Sequence, residues 1–120
     1  MLFLLIAGHA LADYPLQNEA MATCKDRHAR LPLQKSVPWY YWLTAHALVH
    51  GFVVAVIVAG WTGNHDLGVM LGLMEFAAHW VIDVSKCEGY TNIHIDQGLH
   101  IVCKVIWWQL IARSILPSHV

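Results

Sequence analysis

Apolar positions fall in four long runs separated by polar stretches: Met1 to about Ala22, Trp39 to Gly60, Leu67 to Val84 and Leu99 to Leu116. The last three hold 18 to 22 residues each, and a helix needs about 20 to cross roughly 30 Å of hydrocarbon. The first run is interrupted after Ala12 by Asp13 and Pro15. It spans only if the helix continues past them; otherwise it is a partial or re-entrant helix packed inside the bundle. Asn18 to Arg30 is polar enough to lie at the interface as a short helix, with Pro32 and Pro38 separating it from the next run. The pattern predicts an all-α, up-down-up-down four-helix membrane bundle forming a single domain over residues 1–120, the last span beginning near Gln97. Ala10-Leu11-Ala12 has the form of a signal-peptidase site, but no basic stretch precedes it, so the segment is expected to be retained.

The connections give an orientation. Lys25, Arg27, Arg30 and Lys35 lie between the first two runs and Lys86 between the last two, whereas Trp61 to Asp66 carries no Lys or Arg. Basic connections stay in the cytoplasm, which places both termini on the far side. Trp39 to Trp42 and Trp61 would then form the two aromatic belts. Composition agrees: 58% of the 120 residues are apolar or aromatic and 12% are charged, against about 25% charged in soluble domains. Mean hydropathy is +0.48. A net charge of −1 excludes the basic field that a nucleic-acid partner requires. Cys24, Cys87 and Cys103 have no CxxC spacing and are expected to pack as small apolar residues.

The polar residues inside the runs are not scattered. His9/Asp13, His46/His50, His79/Asp83 and Asp96/His100 are each four residues apart, one pair per run. On a helix this spacing puts both side chains on one face. Chance placement of nine His and five Asp among 120 positions would give only about 1.6 such pairs. With alternating span directions all four pairs reach the cytoplasmic end of the bundle, where five imidazoles and three carboxylates converge. Hydrogen bonding between helices would be satisfied by one or two pairs, and haem ligation has no use for three aspartates. Eight N/O donors match two divalent transition metals, zinc first, with iron, manganese and nickel as alternatives.

Around this ring, Lys86 shares the face of His79 and Asp83, where a cation can hold an anionic substrate oxygen or simply snorkel to the interface. Gln17 and Gln97 are placed to hold a ligating carboxylate or imidazole. Glu75, four before His79, is a supporting partner of that histidine or a proton acceptor. His28, His65, His94 and His119 read as solvated or interfacial.

The order His9-x3-Asp13-Tyr14-x-Leu16-Gln17, His46-x3-His50, His79-x3-Asp83-x2-Lys86, Asp96-Gln97-x2-His100 resembles a family of small polytopic membrane proteins of bacteria and phages catalogued as a domain of unknown function. It is similar, more loosely, to the membrane-bound metal-dependent hydrolases, including the LexA-binding inner-membrane-associated group. The resemblance implies a bacterial or phage-encoded inner-membrane protein with a hydrolase-like metal centre. The expected function is hydrolysis of a phosphoester or lipid-linked substrate at the cytoplasmic side, with membrane lipid as surroundings and a second copy or another membrane protein as a candidate partner. Metal or proton transport is the alternative; against it, Val53 to Ala59 and Val105 to Trp108 read as apolar seals. A third expectation is a scaffold or regulatory protein stabilised by metal.

Overall fold

The computed structural model describes residues 1–115. It contains α1 (Leu2–Asp13), α2 (Glu19–Cys24), a 3₁₀ turn (Pro32–Lys35), α3 (Trp39–Thr62), α4 (His65–Cys87) and α5 (Ile93–Ile115). Helix starts follow local chemistry. The Asn18, Asn64 and Asn92 side chains accept from the backbone N–H groups of Met21, Leu67 and Ile95 at 2.8–3.0 Å, satisfying donors that have no partner within the helix. Helix α3 ends at Gly63, whose φ of 70° suits a left-handed C-terminal residue.

Helix α1 stops at Asp13, and Pro15 follows in the turn. The first apolar run is therefore a 12-residue helix, about 18 Å long, followed by the short polar α2. Of the two outcomes open for this run, the partial helix is the one found. Among the described residues, α3 and α4 are long and apolar enough to cross a membrane; α5 has the length, but Asp96 and Lys104 interrupt its apolarity.

Helices α1, α3, α4 and α5 pack as a ring in chain order, α5 closing against α1. Neighbours are antiparallel: Gly51 meets Gly72 while Ala55 meets Gly68, and Asp83 meets His100 while Glu75 meets Lys104. The α3/α4 contact is the most extensive in the molecule, and small residues permit it. Ala47, Gly51, Ala55 and Ala59 recur every fourth residue on α3, facing Gly68 and Gly72 on α4. A Cβ on Gly51 would stand 2.6 Å from the Gly72 carbonyl oxygen, and one on Gly72 would stand 2.7 Å from that of Gly51. Only small residues at the contact allow backbones to approach this closely.

The ring has two ends. At one, Leu5, Val54, Val58, Leu71, Trp107 and Ile111 form a closed apolar layer. At the other, the interior is polar: His9, Lys25, His46, His50, Glu75, His79, Asp83, Asp96, His100 and Lys104 are all buried. Outward positions are largely apolar, among them Phe3, Phe52, Val56, Val69, Leu73 and Val81. That distribution inverts the usual one, since Lys, Glu and Asp are the residue types least often fully buried.

Candidate metal centre

Every predicted ligand pair lies on an inward helix face, and the four pairs meet at the polar end of the ring. The Nε2 atoms of all five histidines point into the cluster. Asp13 Oδ1 lies 3.0 Å from His50 Nε2 and 3.3 Å from His46 Nε2, and His46 Nε2 lies 3.2 Å from His79 Nε2. Ligands held about 2.0–2.1 Å from one tetrahedral ion are separated by about 3.3 Å, so these spacings are those of tetrahedron edges. Donor atoms of Asp13, His46, His50 and His79 lie within 4.8 Å of one another, as do those of Asp83, Asp96 and His100, and of His9, His79 and His100.

A protein-only hydrogen-bond network explains this cluster poorly. Two imidazole Nε2 atoms face each other at 3.2 Å, and Oδ1 of Asp96 is buried without a hydrogen-bond partner among the described residues. Buried polar groups are normally satisfied. The rings of His50 and His79 stack at 3.6 Å and those of His79 and His100 at 4.1 Å; charging adjacent rings would place like charges in contact. Neutral imidazoles and carboxylates sharing a site form a donor set for a divalent transition metal.

The flanking residues are placed as follows. Gln97 Nε2 donates to Asp13 Oδ2 at 2.9 Å, and its Oε1 lies 3.2 Å from His9 Nε2, so it contacts one carboxylate and one imidazole of the cluster. Gln17 does not: its Nε2 donates to the Asp13 backbone carbonyl and its Oε1 accepts from Lys25, because α1 has already ended when the chain reaches it. Lys86 lies half-buried at the rim, 3.2 Å from Asp96 Oδ2 and 3.9 Å from Asp83 Oδ1. Glu75 Oε1 is 3.5 Å from His79 Nδ1. His28, His65 and His94 are exposed and outside the cluster, and His119 lies outside the described residues.

Three participants were not foreseen. Lys25, counted above only as a connection charge, is buried and donates to Asp83 Oδ2 at 2.6 Å. Lys104 is fully buried and donates to Glu75 Oε1 at 2.6 Å, while Trp107 Nε1 donates to Glu75 Oε2 at 2.6 Å. Spacing signals Lys104, four residues after His100 in the row that begins at Asp96; no local pattern signals Lys25. The expected seals change accordingly. Val56, Ile106 and Trp108 face outward, so closure comes from the layer containing Val54, Val58 and Trp107, one turn beyond the Glu75–Lys104 pair.

On the outer side, Arg27 and His28 contact Glu88 at 2.6 and 3.3 Å, fastening the α1–α3 connection to the end of α4. The Glu88 carboxyl sits below the ordinary glutamate range: partial desolvation pulls it up, and hydrogen bonds from His28 and Arg27, with their charges, pull it further down.

The chain matches no curated protein and no solved structure. Residues 1–119 match the family described as "Protein of unknown function (DUF3307)", and the chain belongs to that family.

Proposed function

We propose that the protein is a membrane-embedded, metal-dependent hydrolase that acts on a phosphoester or lipid-linked substrate from the cytoplasmic leaflet of a bacterial inner membrane. The observation that carries this reading is the convergence of five imidazole Nε2 atoms and the carboxylates of Asp13, Asp83 and Asp96 in one buried cluster. A divalent ion held there, zinc before iron, manganese or nickel, would lower the pKa of a bound water and polarise a substrate oxygen. Lys86, at the rim and partly exposed, is suited to hold an anionic substrate group. Glu75, beside His79 Nδ1, is suited to orient that imidazole.

Embedding in lipid is supported by the inverted burial pattern and by α3 and α4, most of whose apolar length faces outward; the core helix of a soluble protein would bury it. The exposed Tyr40, Tyr41 and Trp61 sit at opposite ends of α3, as interfacial aromatics do. With Lys25 and Lys86 drawn into the cluster, the cytoplasmic orientation rests chiefly on Arg27, Arg30 and Lys35, all exposed beside the polar end.

Metal or proton transport is the second reading, favoured by the Glu75–Lys104 pair that carries polarity one turn deeper. The apolar layer beyond it weighs against a through path. Purified protein in detergent is the test: metal-dependent cleavage of phosphoester lipids that is lost in His46→Ala supports hydrolysis. Metal uptake into protein-loaded liposomes without any cleavage would reverse the ranking, and protein that binds no transition metal would sink both metal readings.

A further inference from the structure

The two halves of the cluster differ in charge compensation. Asp83 Oδ2 receives the Lys25 ammonium at 2.6 Å, Asp96 Oδ2 receives that of Lys86 at 3.2 Å, and Glu75 receives that of Lys104 at 2.6 Å. Asp13 alone has no Lys or Arg partner among the described residues; it faces His9, His46, His50 and Gln97. A carboxylate largely withdrawn from solvent, its side chain 11% exposed, is costly without a countercharge, and three imidazoles that can share a cation surround this one. The distances differ in the same direction. Asp13 Oδ1 stands 3.0 and 3.3 Å from the Nε2 atoms of His50 and His46, whereas His100 Nε2 stands 3.3 Å from Asp83 Oδ1 and 3.7 Å from Asp96 Oδ1, and Asp83 stands 3.6 and 3.7 Å from the Nε2 atoms of His46 and His79.

Resting on the metal-centre reading, we propose that the centre keeps one resident divalent ion, held by Asp13, His46, His50 and His79. In the Asp83/Asp96/His100 half, the ammonium groups of Lys25 and Lys86 stand in place of a second ion. Lys25 is delivered by the connection that follows α2, and its position is fixed by Gln17 Oε1 at 2.9 Å, which is itself tied to the Asp13 carbonyl. A second ion bound to Asp83 would lie beside that ammonium, and like charges in a low-dielectric interior repel strongly. The same two ammonium groups give this half the chemistry to receive an anionic oxygen from a substrate.

The test is a count of ions. Wild-type protein in detergent is loaded with cobalt(II), passed through a chelating column, and assayed for cobalt per chain together with its visible absorption. The account predicts one ion per chain, with the intense bands of a four-coordinate site, and its retention in Asp96→Asn. Lys25→Met, and independently Lys86→Met, should retain a second ion. Two ions per wild-type chain would overturn the proposal while leaving the metal-centre reading intact, as would one ion in both lysine variants. No ion in wild-type protein would overturn both. The wild-type count decides even if a lysine variant fails to fold.

Discussion

Replacing Lys104 by Met leaves the Glu75 carboxylate charged in the bundle interior. The side chains of both residues are 1% exposed, and the pair is joined at 2.6 Å. What remains to Glu75 is the Trp107 indole N–H at 2.6 Å and the more distant His79 Nδ1 at 3.5 Å. Removing one partner of a buried ion pair costs about 3–5 kcal/mol. For a chain of this size that corresponds to a fall in Tm of about 12–20 °C. Removing both charges is different in kind: in Glu75→Gln/Lys104→Met the amide oxygen can still accept from Trp107, and no charge is stranded. Apolar or neutral replacement of a whole buried pair is often close to neutral, so the double variant should recover most of the loss. The assay is unfolding of the four proteins of the cycle in one detergent. A Lys104→Met cost below about 1 kcal/mol, or a double variant as damaged as the sum of the singles, would refute the view that this pair is a desolvated, mutually dependent unit.

Gly72→Ala should destabilise by about 1–3 kcal/mol through overpacking, because its Cβ would meet the Gly51 carbonyl at 2.7 Å; unfolding in detergent measures it, and lowered metal retention should accompany it as α3 and α4 carry His46 and His79 apart. Gln97→Ala should weaken metal binding about 10- to 100-fold by releasing the Asp13 carboxylate, a change read by competition with a chelator. Trp107→Phe leaves Glu75 Oε2 without its donor and should cost about 1–3 kcal/mol, again read from unfolding.

How much of this was legible in the sequence depends on whether a residue's neighbours are set by helix period or by tertiary path. The eight His and Asp residues converge because i, i+4 spacing fixes their face and alternating helix direction fixes their level; both are readable from one chain. The same logic extends the rows to Glu75 and Lys104, each four residues from a ring histidine. The apolar residues around Lys104 read as a seal and mask its place in the row. Lys25 follows a six-residue helix in a connection, where no period constrains the direction of a side chain; only the path that folds α2 back over the polar end brings it to Asp83. The first apolar run left two outcomes open because hydropathy continues through residue 22 while Pro15 and Asp13 end the helix. The small-residue row on α3 and the Gly68/Gly72 pair were present as spacing, yet only the α3/α4 contact shows which face they serve.

The central claim is that the buried His/Asp cluster holds a metal ion, and X-ray absorption at the metal edge of loaded wild-type protein tests it most directly. The account predicts a first shell of nitrogen and oxygen only, at about 2.0–2.1 Å with the outer-shell scattering of imidazoles, lost when Asp13 and His50 are replaced together. A first shell containing sulfur, or a spectrum unchanged by those substitutions, would contradict it.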